Sequence, residues 1–146
     1  MHTCRFSVAI LLLAAVAVAG SVGPAWIKHY TGPTQSQYNE AADSYLDTLT
    51  GNLYVVGSGE LASNPDGSDL IVMKYRPDGT RAWVNGFSGT GASSDDMAQA
   101  IAVDSVGNVY IAGVTDNASP QYTDAAWAKY DSNGNELWHR SSTWNG

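Results

Sequence analysis

The chain has 146 residues, of which 44% are hydrophobic, 10% aromatic and only 14% charged, against roughly 25% charged in a typical soluble domain. Its 15 glycines and its small polar and aromatic residues exclude a coiled coil or helical bundle, and its apolar content excludes a disordered acidic tail. A formal charge of −7 argues against nucleic acid as a partner, since no basic footprint is available.

In chain order, the first expected element is a secretory signal over 1–20. Arg5 supplies the basic start, Phe6 to Ala19 the apolar run, and Ala17-Val18-Ala19 the small-residue exit. The run is too short to span a bilayer as a helix. Cleavage beyond it, between Gly20 and Pro24, removes the sole cysteine, Cys4, so disulfides and thiol chemistry drop out. It leaves 6 basic against 14 acidic side chains, a formal charge of −8. The destination is extracellular or periplasmic, with no membrane span after cleavage.

An isolated strand is expected at Trp26 to Tyr30. Strands follow at about 41–49, 52–58, 69–76 and 80–87, and again at 100–104, 109–114, 124–131 and 136–142. Turns carrying Gly51-Asn52, Asp78-Gly79, Gly107-Asn108 and Asn133-Gly134 separate them. No sustained helical period interrupts them outside the signal.

These elements repeat. Trp26, Trp83 and Trp138 are spaced by 57 and 55 residues. Gly51-Asn52 returns at Gly107-Asn108, and Lys74-Tyr75 returns at Lys129-Tyr130. The first copy carries one extra turn residue, and its first strand is the less regular, at Asp43, Tyr45 and Leu46-Asp47. Four short antiparallel strands per period of about 50 residues match the blade of a β-propeller. Val109 to Gly113 is apolar or small on both faces, as stacking between two neighbours requires. The expected architecture is all-β, with two four-stranded blades and one orphan strand, and the whole follows a signal helix. The domains are 1–20 signal, 25–88 orphan strand with first blade, and 89–146 second blade. Propellers close with roughly four to eight blades. The chain therefore reads as part of a longer propeller, as one that self-associates through unpaired blade edges, or as an open two-blade wedge with exposed apolar faces.

The stretches Trp26 to Pro33, Ala100 to Gly113, Asp124 to Tyr130 and Asn133 to Trp138 resemble the SBBP family, the bacterial beta-propeller repeat. The NHL repeat, which shares the Asp-x-x-Gly-Asn-hydrophobic core, is the near alternative. The resemblance implies a secreted or surface protein of many repeats with no assigned chemistry.

Residues that could carry chemistry are few. Asp104 and Asp131 head Asp-x-x-Gly-Asn turns. Each has one carboxylate where a calcium loop wants several oxygen ligands, so a turn-capping role is favoured. Asp95 and Asp96 form the sole adjacent acid pair kept in view as a metal or base candidate. A solvated inter-blade loop is the favoured reading there, because the first copy has only Tyr38-Asn39-Glu40. His29 and His139 sit at non-equivalent repeat positions without ligand spacing. Gly86-Phe87-Ser88-Gly89-Thr90 fails the nucleophile-elbow pattern, and Gly89-Thr90-Gly91 lacks the third glycine of a dinucleotide loop. Asn117-Ala118-Ser119 is a sequon followed by Pro120, read as unused. Trp, Tyr and Phe recur at repeat spacing, which favours core over a sugar platform. No cofactor and no catalytic residue is expected. The leading function is a non-catalytic scaffold or binding module for a protein or surface glycan. The alternative is a lyase-like or hydrolase-like enzyme with an axial pocket built by several blades.

Overall fold

The computed structural model describes residues 26–33, 39–61, 64–89, 96–116 and 123–142, with backbone alone at 64–67. The expected signal over 1–20, with Cys4 and Arg5, lies outside the described residues. So do Asp95, Thr90-Gly91 and the Asn117 sequon.

The described chain is all β. Strands β1 (Glu40–Leu46), β2 (Leu53–Leu61), β3 (Asn64–Tyr75) and β4 (Arg81–Phe87) form one antiparallel sheet in sequence order. Strands β5 (Met97–Val103), β6 (Val109–Asp116), β7 (Thr123–Tyr130) and β8 (Glu136–Ser142) form the second. The two blades share register as well as order. Lys74 pairs with Trp83 and Lys129 with Trp138, each followed by a shift to Tyr75–Arg81 or Tyr130–Glu136. The first-strand irregularity is also shared, since β1 shifts between Ala41 and Asp43 and β5 between Ala98 and Ala100.

Turn chemistry sets these registers. Asp104 Oδ1 accepts the Val106 and Asn108 amides, and the Gly107 N–H closes on the Asp104 carbonyl. Gly107 sits at φ 86° and Gly134 at φ 90°, a region that L side chains enter only at a cost. The extra residue of the first copy lengthens its loop, so that Gly51 closes on Asp47 four residues back.

The blades stack face to face. Tyr54, Val56, Leu70 and Val72 of the first meet Ala98, Val109, Ile111, Ala126, Ala128 and Tyr130 of the second. Large aliphatics on one sheet face alanines on the other, which lets the sheets approach closely. The opposite face of the first blade buries Leu53, Val55, Ile71, Met73 and Tyr75 under Trp26 and Tyr30. Residues Asp69 to Met73 of β3 are therefore all buried, whereas the equivalent β7 alternates exposed and buried from Thr123 to Ala128. Equivalent strands differ because the first blade is covered on both faces and the second on one.

Residues 26–31 form no strand. Their repeat equivalents, in β4, are held by a ladder to β3. No third strand lies beside 26–31 among the described residues, so the segment packs through side chains alone.

Candidate functional site

Two tryptophans do the same work in this fold. Trp83 of β4 lies over the Gly134 turn of the second blade. A Cβ on Gly134 would come within 2.8 Å of the indole. Its Nε1 donates to the Ser132 carbonyl at 3.3 Å, and Lys74 Nζ donates to the same oxygen at 3.0 Å. The Asn85 side-chain amide donates to the Gly134 carbonyl. Trp26 repeats this on the first blade. It covers Gly79, stacks on Tyr75 with ring centroids 5.6 Å apart, and donates from Nε1 to the Pro77 carbonyl at 3.1 Å. Only glycine permits the indole so close, and only an open carbonyl two residues earlier receives its N–H.

Trp138, the third repeat tryptophan, has the same place in β8 but no glycine turn beneath it among the described residues. The Arg140 guanidinium lies 6.0 Å from its ring and Lys129 Nζ lies over Tyr110 at 4.8 Å. Trp138 thus belongs to the open face of the second blade, with Tyr110, Ala112, Ala125 and Trp127. Trp127 is 40% exposed. Each of these is the repeat equivalent of a residue through which the first blade docks on the second.

Beside residues 26–33 runs a cleft of about 930 Å³, lined by Lys28, His29, Tyr30, Arg81 and Asn85 among others. One of its cations, Arg81, acts on Tyr30. Burial raises the Tyr30 hydroxyl above its ordinary pKa, Arg81 lowers it, and Glu60 and Asp69 push it up again. The Arg81 guanidinium also lies over the Tyr30 ring at 5.5 Å, and the Tyr30 hydroxyl donates to the Glu60 carbonyl at 2.7 Å. His29 lines this cleft rather than a strand. His139 Nδ1 meets Glu136 Oε1 at 2.6 Å, and its ring lies 4.4 Å from Phe87 across the blade interface. The two histidines are not brought together.

The acids divide into two sets. Asp47, Asp78, Asp104 and Asp131 are turn residues at the surface, all held below the usual carboxylate range. The first cause is a side-chain hydrogen bond from Thr50, Thr80, Asn108 and Asn135 respectively, with backbone amides adding to it. Asn52 of the first copy donates to Thr50 instead. The second set is buried, and here the sequence reading is corrected. Asp96 is not a solvated loop residue; it is fully buried. Its Oδ2 accepts the Gly89 amide at 2.5 Å, and its Oδ1 accepts the Thr115 hydroxyl at 2.6 Å and the Asp116 amide at 3.0 Å. Its own N–H donates to Ser68 of the first blade at 2.8 Å. Asp69, which sequence reasoning missed, is equally buried and takes the Leu61 amide at 2.9 Å and the Ser88 hydroxyl at 2.5 Å. Asn39 stands at the repeat position of Asp96 and accepts the Glu60 amide at 3.4 Å. These side chains tie strand ends together. Among the described residues no three His, Cys, Asp or Glu are grouped to hold a metal ion.

Residues 89–119 match the family model SBBP, beta-propeller repeat, and so carry the repeat that the residue pattern resembles. They span β5, β6 and the segment leading into them. No curated protein matches the chain. A propeller-like fold of this kind is a binding or scaffold fold.

Proposed function

We propose that the chain is a secreted, non-catalytic β-propeller-repeat module that holds a protein partner on the outer face of its second blade. The observation that carries this is the open face itself. Tyr110, Ala112, Ala125, Trp127 and Trp138 reproduce, position for position, a face that is a packing interface elsewhere in the same chain. Large exposed apolar patches of this kind mark interaction surfaces. The non-catalytic part is supported by the carboxylates. Asp69 and Asp96 accept hydrogen bonds from neighbouring strands, and Asp104 and Asp131 from their own turns, which favours structural acceptors over bases facing a cavity. The apolar leader of the sequence supports export.

The test is a photo-cross-linker in the cell that makes the protein. With p-benzoylphenylalanine in place of Ala125, on the open face, a discrete protein adduct is expected in the exported fraction. The same group at Thr48, in a surface turn, should give none. Equal labelling at both positions, or an adduct at neither, would overturn the reading. Retention of the protein in the cytoplasm with its leader intact would overturn the export half.

A further inference from the structure

Resting on that reading, we propose that the partner on the outer face of the second blade is the first blade of a second copy of this chain. Trp138 of one copy takes the Gly79 turn that Trp26 covers within its neighbour.

The contacts to be made are already made once inside the chain. The second blade offers three donors on its open face: the Trp138 indole N–H, the Lys129 ammonium and the Arg140 guanidinium. They stand where Trp83, Lys74 and Asn85 stand on the first blade, and those three donate to the carbonyls of Ser132 and Gly134. Among the described residues the matching acceptors recur at the Arg76–Thr80 turn. There Gly79 has φ 78° and the Pro77 carbonyl receives an indole N–H from Trp26. Gly134 and Gly79 therefore present one recognition element in two copies, and three tryptophans compete for two turns.

Side-chain size agrees. Within the chain, Val56, Leu70 and Val72 of the first blade rest on Ala126 and Ala128 of the second. On the two outer faces the pattern is reversed. The second blade offers Ala112 and Ala125, whereas the first offers Val55, Ile71 and Met73. Ala112 and Ala125 are small where Val55, Ile71 and Met73 are large, and Tyr110 and Trp127 fill the rest of the second blade's face. A chain cannot make this joint with itself, because its own first blade is already stacked on the opposite face of its second.

The present occupant of the Gly79 turn is held by side chains and by no strand ladder. Residues 26–31 pair with no strand. Trp26 and the Tyr30 hydroxyl fix the segment, and the cleft of about 930 Å³ remains alongside it. Val55, Ile71 and Met73 are buried beneath this segment, so a second copy docks there only as the segment moves off the face. Displacement of Trp26 by Trp138 exchanges an indole for an indole and adds the Lys129 and Arg140 donors together with the apolar face.

The joint is head-to-tail, so it closes into a ring or grows without limit. If each step repeats the rotation between the two blades of one chain, closure comes at the usual propeller size of roughly four to eight blades. That is two to four chains, since each contributes the two sheets described.

Sedimentation velocity and native mass spectrometry of the purified full chain over a wide concentration range test this. Wild type should give one discrete species of two to four copies. Trp138→Ala should weaken association by about tenfold or more, as loss of a central indole does, with no change in melting of the dissociated chain. Arg140→Glu, a change at an exposed side chain, should weaken it as well. Trp26→Ala should strengthen association, because it clears the Gly79 turn. A monomer at every concentration would overturn the proposal. So would Trp26→Ala weakening association while the chain stays folded, or Trp138→Ala and Arg140→Glu both leaving it unchanged. A monomer that still cross-links a different protein through position 125 would overturn self-docking and leave the binding-module reading standing.

Discussion

Trp83→Ala removes the side chain that clasps the two blades. A well-buried aromatic truncated to alanine costs about 3–5 kcal/mol. Trp83 is half-buried, packed against the inter-blade core and edge-on to Tyr54, with ring centroids 6.2 Å apart. The packing share is therefore about 2 kcal/mol on the same scale, and its N–H to Ser132 adds about 1 kcal/mol. The expected loss is about 3 kcal/mol, or a fall of roughly 2 M in the urea midpoint at a slope of about 1.5 kcal/mol/M. Equilibrium urea unfolding, followed by tryptophan fluorescence and by far-ultraviolet circular dichroism at concentrations where the chain is monomeric, measures it. Trp138→Ala under the same conditions should cost less than about 0.5 kcal/mol, since no turn lies beneath it among the described residues. Equal losses at positions 83 and 138 would refute the clasp argument, because the residues share strand, register and chemistry and differ only in what they cover.

Gly134→Ala should destabilise more than Gly107→Ala. Both positions have left-handed φ, costing about 1 kcal/mol or more, but the new methyl at 134 would also strike Trp83 at 2.8 Å, whereas at 107 the nearest atom is Ser132 Cβ at 3.1 Å. Paired thermal melts check the order. Tyr130→Phe should be neutral or stabilising by up to about 1 kcal/mol, because the buried hydroxyl has no hydrogen-bond partner among the described residues. Burial first, and the Glu136 charge second, hold the Tyr130 pKa well above its ordinary value. Its contribution is therefore present below about pH 10 and lost above it, and Tyr130→Phe should flatten the alkaline limb of a pH–stability curve. Asp104 and Asp131 have the opposite sign. Their lowered pKa makes stability present above about pH 4 and lost as pH falls below it. Urea midpoints from pH 7 to pH 2 should fall less in Asp131→Asn than in wild type.

Eight strands, their order and the repeat were legible because turn glycines and paired tryptophans recur at a fixed spacing. The shared bulges were not. The first strand of the first copy reads as irregular beside Ala100 to Asp104, yet both strands shift register at the same place, which the ladder rather than the composition decides. The burial of Asp96 is not legible in the sequence, for a physical reason. A carboxylate after Ser93 and Ser94 has the composition of a solvated loop, and nothing local announces that the Gly89 and Asp116 amides converge on it. The available signal was the 57-residue step, which puts Gly32 and Gly89 in register as well as Asn39 and Asp96. The 57-residue step gives Trp26 the repeat position of a fourth-strand residue. Its conformation was not legible, since a strand exists only where another strand lies beside it.

The blade joint also sets a timetable for synthesis. Asn85 waits for the carbonyl of Gly134, 49 residues later, and Trp83 and Lys74 wait for that of Ser132. At roughly 5–20 residues per second a ribosome needs about 2–10 s to supply that stretch. Each hairpin of the first blade closes within its own local sequence and is complete by Phe87, so the sheet exists before its neighbour does. For those seconds Tyr54, Val56, Leu70 and Val72 form a finished apolar surface on a nascent chain. That is long enough for a chaperone to find it, or for a neighbouring nascent chain to stack on it out of turn.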